Sequence, residues 1–105
     1  MMRPDKIRIL STVYKIQWVS RGVAQGACGW HDGSTNTIGI REEAHPSEIA
    51  DTFLHEVLHA LWRMLALGNE ARNEGVCTVL ATGLATVWNE NPDVFEWLGE
   101  QVLSS

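Results

Sequence analysis

Apolar positions along this chain change period as it proceeds. From residue 7 to 19, Ile7, Ile9, Val13 and Ile16 stand among Thr, Tyr and Trp, which predicts one strand or a strand with a bend. Residues 20–29 contain Gly22, Gly26 and Gly29 and predict a turn. Residues 27–30 and 37–41 then predict two short strands around an Asp32-Gly33-Ser34 turn signal. In the second of these, Ile38 and Ile40 share one face while Thr37, Gly39 and Arg41 share the other. After Pro46 the period becomes helical. Ser47 as N-cap, with Glu48 and Asp51 acidic in the first turn, opens a helix over 48–67 that Gly68 ends. A second helix starts near Asn69 or Asn73 and reaches Trp88. Asn91-Pro92-Asp93 reads as an N-cap followed by proline at the first helical position, so a last helix covers 92–103. Strands first and helices after predict an α+β domain: a small antiparallel or mixed sheet followed by three helices, in one unit over 1–105.

On a wheel of about 100° per residue, the 48–67 helix divides cleanly. Phe53, Leu54, Val57, Leu58, Leu61, Met64 and Leu65 occupy one side and predict its core face. Glu48, Asp51, Thr52, His55, Glu56, His59 and Arg63 occupy the other. His55 and His59 are one turn apart, about 40° round the wheel and about 6 Å along the axis, and they lie outside the core stripe. Zinc takes neutral imidazole nitrogens at about 2.0–2.1 Å, and histidines on successive turns can reach one ion without backbone strain. Glu56, displaced by about 100°, points beside such an ion, where it can reach a water without being a ligand. The plain alternative is a pair of ordinary surface histidines.

A catalytic zinc keeps three protein ligands and one open position. The candidates for the third are Glu70, Glu74, His31, His45 and Asp32. Glu74, early in the following helix, reaches the last turns of the first if the two pack antiparallel, and Glu70 lies nearer the turn. The plain alternative for Glu74 is a solvated helix-surface carboxylate.

Composition narrows the partners. At 105 residues the chain allows one core and not two, and 45% apolar content argues for a folded globule. A formal net charge of −5 argues against nucleic acid as a partner. No run reaches membrane-spanning length, and Met1 to Lys6 leads into a strand rather than an apolar signal segment, so no membrane partner and a cytoplasmic location are expected. Cys28 and Cys77 are too few for a disulfide framework and are expected as small buried thiols; the Cys28-x-x-His31 spacing lacks two further ligands for a metal site. Of the five tryptophans, Trp62 lies nearest the histidines on the wheel and could line a site there.

The stretch Thr52-Phe53-Leu54-His55-Glu56-Val57-Leu58-His59-Ala60-Leu61 resembles the extended HExxH signature of zincin metallopeptidases. Trp62 and Leu65 stand where the metzincin branch carries Gly and His, which argues against that branch, and a downstream glutamate points instead to the gluzincin branch. The run from Glu74 to Leu84, followed by Asn91-Pro92, is similar to the helix after HExxH in small phage and prophage metallopeptidases of the ImmA/IrrE type. The strand pair before the helix is similar too, so the resemblance spans about residues 27–98. It implies a minimal zincin-like core and one catalytic Zn²⁺ held by His55, His59 and Glu74. It also implies Glu56 as the general base of peptide hydrolysis, a protein or peptide substrate, and the cytoplasm of a phage-infected or prophage-carrying bacterium. The spacing from His59 to Glu74 is shorter than in large gluzincins and demands a tight turn at Gly68. No residue matches the downstream oxyanion donor of larger relatives; Tyr14, His31, His45 and Arg41 are the candidates. A strand at 37–41, if it forms the sheet edge, could pair with an extended substrate. The competing expectation is a zinc-containing binding or regulatory module with the same fold and little turnover.

Overall fold

The computed structural model describes residues 3–24, 26, 28–66 and 74–103, with the backbone alone at 23, 74–79 and 81. Its elements are strands β1 (Lys6–Ile9), β2 (Thr12–Val19), β3 (Gly29–Asp32) and β4 (Thr37–Arg41), and helices α1 (Arg21–Ala24), α2 (Pro46–Met64), α3 (Glu74–Glu90) and α4 (Pro92–Leu103). The strands form one mixed sheet in the order β1-β2-β4-β3, with β2 and β4 parallel and the other two pairs antiparallel. The chain is an α+β fold in which α2, α3 and α4 follow the sheet in sequence.

Residues 7–19 form two strands rather than one. Leu10 and Ser11 both take positive φ, 49° and 71°, and join β1 to β2 as a tight hairpin with Ile9 opposite Thr12. Two successive left-handed residues are the geometry of a type I′ turn, whose usual signal is Asn-Gly. Ile7, Ile9, Tyr14, Ile16, Ile38 and Ile40 all point to the helix side and are buried. From α2 they receive Phe53, Val57, Ala60 and Leu61, and from α4 Phe95, Trp97 and Leu98. Trp97 meets Phe53 and Trp18 edge-on, at 5.5 and 5.7 Å between ring centroids. Burying one such side chain is worth about 1.5–3 kcal/mol. The core stripe of α2 is therefore as expected except at Leu58, which is 39% exposed.

The ends of α2 differ from expectation. Its N-cap is His45 rather than Ser47: the His45 Nδ1 accepts from the Ser47 N–H at 3.4 Å, and Pro46 occupies the first turn. The helix stops at Met64, because Ala66 takes the left-handed conformation (φ 53°) and its N–H bonds the Arg63 carbonyl. The expected stop at Gly68, the Asn69 or Asn73 helix start and Glu70 fall outside the described residues. The last helix begins at Pro92 as expected, but the Asn91 side chain does not cap it. Instead its Oδ1 accepts from the Arg8 N–H (3.0 Å) and its Nδ2 donates to the carbonyls of Arg8 (2.7 Å) and Val87 (2.8 Å). No helix among the described residues is long and apolar enough to cross a membrane.

Candidate metal and catalytic site

Within α2, His55 and His59 are exposed, and their Nε2 atoms converge to 3.0 Å. The rings meet edge-on at 4.6 Å between centroids. Two nitrogens bound tetrahedrally to zinc at about 2.0–2.1 Å stand about 3.3 Å apart, so the pair already holds nearly the spacing of two ligands to one ion. In the neutral pair a shared N–H···N hydrogen bond spans this gap; a cation replaces that proton. These two nitrogens fit two ligand positions on one zinc ion, and among the described residues no third donor joins them.

Glu56 departs from the solvent-facing stripe. It is 6% exposed, because β3 lies over it. A Cβ on Gly29 would stand 3.5 Å from the Glu56 Cγ and only 2.7 Å from both the Thr52 methyl and the Gly39 carbonyl oxygen, so glycine is what permits strand and helix this close. Burial pushes the Glu56 pKa up, while the neighbouring His55 and His59 pull it down; burial wins. A helical wheel has no knowledge of which strand will cover a residue at the stripe's border, which is why the burial was not evident.

Strand β4 is not a sheet edge. It is paired on one side with β2 and on the other with β3, so the edge beside α2 is β3. The physical reason is the parallel β2–β4 pairing, a non-local contact that hairpin reasoning does not anticipate. The Arg41 N–H donates to the Cys28 carbonyl at 2.9 Å. Antiparallel alternation then makes Trp30–Gly39 and Asp32–Thr37 the bonded pairs and turns the N–H and C=O of Gly29 and His31 outward, away from β4. The His31 side chain, and the position a Cβ would take at Gly29, face the helix side, since their partners are the buried Ile38 and Ile40.

His31 is thereby brought into the same region. Gly29 packs at Thr52 and Glu56, and Gly33 packs against the Arg63 guanidinium, so β3 runs alongside α2 in the same direction. The strand advances about 13 Å between the two glycines, and α2 about 10 Å between Glu56 and Arg63. His31, midway between the glycines and on the same face, lies at the level of His59. Its ring stacks on Tyr14 at 5.7 Å, with Nε2 3.5 Å from the fully buried tyrosine's Oη. Partial burial lowers its pKa, the charges of Arg63 and His59 lower it further, and Asp32 opposes them.

The other candidates are placed elsewhere. Asp32 Oδ1 accepts from the Ser34 N–H (2.9 Å) and hydroxyl (2.6 Å), which hold its pKa down and commit it to the β3–β4 turn. His45 caps the far end of α2. Arg41 alternates to the face of β4 opposite Ile38 and Ile40. Cys28 is exposed rather than buried, because it precedes the edge strand, and the Cys77 side chain lies outside the described residues. Trp62 is half-buried.

Glu74 is the first residue of α3, and its side chain lies outside the described residues, as does all of Glu70. Among the described residues no three His, Cys, Asp or Glu side chains gather as a metal set. Helix α3 passes α2 at Gly83, where a Cβ would meet Leu61 and Leu65 at 3.2 and 3.3 Å, and Glu74 lies about 13 Å along the axis from that crossing. What sequence reasoning missed was the role of Gly29 and Gly33. The alternation Gly29-x-His31-x-Gly33, two glycines flanking a histidine on one strand face, is the signal that could have shown a strand pressed onto a helix.

Comparison of the chain with family models, with curated proteins and with solved structures gives no match.

Proposed function

We propose that this chain is a zinc-dependent peptide hydrolase, with His55, His59 and Glu74 as ligands and Glu56 as general base. The observation that carries the reading is the convergence of the His55 and His59 Nε2 atoms to 3.0 Å beside a buried carboxylate, under a sheet edge. A zinc ion held there would act as a Lewis acid, acidifying water and polarising the scissile carbonyl. Glu56 takes the proton that the attacking water loses and returns it to the leaving amine. An extended peptide adds to β3 through the outward N–H and C=O groups of Gly29 and His31, which lays its backbone beside α2. This moves the strand-addition expectation from β4 to β3. The compartment consistent with the reading is the cytoplasm of a phage-carrying bacterium.

Metal analysis of the purified protein with three variants tests the reading. Glu56→Gln keeps zinc and abolishes hydrolysis. Glu74→Ala loses most of the zinc, whereas Glu70→Ala retains it. Full zinc in Glu74→Ala overturns the ligand set, and a wild-type protein that binds no zinc overturns the hydrolase and the zinc-module readings together. Zinc binding without cleavage of any peptide leaves the binding module as the function.

A further inference from the structure

Resting on the hydrolase reading, we propose that His31 donates the hydrogen bond that stabilises the substrate carbonyl oxygen as it becomes tetrahedral, and that Tyr14 positions it. Three observations converge. First, the Gly29 and Gly33 contacts set β3 against α2 in a register that puts His31 level with His59. Second, the main-chain N–H and C=O of the same residue face the free edge while its side chain faces the helix side. A peptide paired to β3 therefore runs past His31 at the level of His59. Third, the ring is held from behind: it stacks on Tyr14, whose Oη stands 3.5 Å from Nε2. The other two residues with a suitable donor are committed elsewhere, His45 to the α2 N-cap and Arg41 to the opposite sheet face.

No proton changes hands in this role. As the water oxygen bonds to the carbonyl carbon, the π electron pair moves to the carbonyl oxygen, and the imidazole N–H shortens its hydrogen bond to that oxygen. Loss of one such donor costs about 100- to 1000-fold in kcat.

The test uses the full chain loaded with zinc. The probes are the peptide that the wild type cleaves fastest from a mixture of synthetic decapeptides, and its phosphinic analogue, a tetrahedral mimic at the cleaved bond. In His31→Ala, zinc content stays at the wild-type level, kcat falls about 100-fold and KM changes less than about threefold. Calorimetry then shows the phosphinic analogue bound about 100-fold more weakly, while the uncleaved peptide binds Glu56→Gln and Glu56→Gln/His31→Ala alike. His31→Gln, which keeps an amide donor, recovers part of both losses. Tyr14→Phe keeps the core packing, lowers kcat by a smaller factor and shifts the His31 tautomer signature in ¹⁵N spectra. Unchanged kcat in His31→Ala overturns the inference while leaving the hydrolase reading intact. So does equal weakening of both probes, which would make His31 a substrate contact only, or loss of zinc, which would make it a ligand. If His31→Ala fails to fold, His31→Gln and Tyr14→Phe decide by the same readouts. A wild type without zinc or without cleavage removes the underlying reading, and the inference falls with it.

Discussion

The two edges of the sheet receive opposite treatment. On β1, the hydrogen bond from Ile16 N–H to the Asp5 carbonyl sets the alternation that turns the Lys6 and Arg8 main-chain groups outward. Asn91 then takes both groups of Arg8, donor and acceptor, in the manner of a neighbouring strand. Glu90 accepts from the Ser11 N–H beside it at 3.1 Å. On β3, the equivalent outward groups of Gly29 and His31 carry no such partner among the described residues. Exposed edges invite pairing with other chains, and proteins commonly blunt them. Here one edge is closed by a side chain from the α3–α4 junction, and the other, beside the histidine pair, has no such closure among the described residues. On the proposed function, the difference assigns strand addition by an extended peptide to β3.

Gly29→Ala has the largest expected effect on stability, because it strikes the free edge at its closest approach to α2. The new methyl meets the Thr52 methyl and, worse, the Gly39 carbonyl oxygen, a backbone atom that has nowhere to go. Overpacking of this kind costs about 1–3 kcal/mol, and a loss of about 2 kcal/mol lowers Tm by roughly 10 °C in a domain of this size. Adding Thr52→Ser removes one of the two clashes and recovers part of the loss. A full recovery would show that the strand–helix contact, rather than the sheet, sets the spacing at the edge.

Asn91→Ala opens the closed edge and is expected to cost about 1–2 kcal/mol in denaturant unfolding, since three hydrogen bonds to backbone groups go with it. It also introduces concentration-dependent association, read by sedimentation, as β1 becomes available for pairing. Asn91→Asp separates the roles: its carboxylate can still accept from the Arg8 N–H but cannot donate to the Arg8 or Val87 carbonyls. If Asn91→Ala associates no more than the wild type, closing the edge is not what the asparagine does.

Under the free edge, burial of Glu56 makes a pH signature in chelator-treated protein. Its folded pKa is raised above the unfolded value, so its favourable contribution is present below the ordinary carboxylate pKa and is lost as pH rises through the raised one. Glu56→Gln therefore raises Tm relative to wild type at pH 7 to 8 by more than it does at pH 4. An equal change at both pH values would mean the carboxylate is not desolvated by β3.

Sequence pattern recovered what depends on neighbours along the chain. The α+β order, the turn at Asp32, the Pro92 helix start and the exposed His55–His59 pair of α2 are all local. What escaped depends on contacts across the fold. The Leu10–Ser11 hairpin uses two residues with no left-handed preference, so its turn carries no glycine or asparagine signal. The internal place of β4 follows from a parallel pairing with β2, and the burial of Glu56 follows from that placement, since β4 in turn sets β3 over the helix. The His45 cap was hidden behind Ser47, a better cap by type but one residue inside the helix that Pro46 begins.

The smallest expected effect lies at a contact remote from either edge. Gly83 sits where α3 passes α2, with Leu61 and Leu65 methyls at 3.2 and 3.3 Å from the position of a Cβ. Gly83→Ala gains about 1 kcal/mol of helix propensity. Against this, both leucine tips must give by a few tenths of an ångström, and because they are the ends of flexible side chains rather than backbone, that cost is of similar size and opposite sign. The net change in unfolding free energy should stay within about 0.5 kcal/mol. At Gly29 the same added methyl faces a carbonyl oxygen of the sheet, so the contrast between the two substitutions measures how rigidly β3 is held against α2. A Gly83→Ala loss as large as that of Gly29→Ala would mean that tight packing is general in this chain and that the closeness of β3 to the histidine helix is nothing special to the free edge.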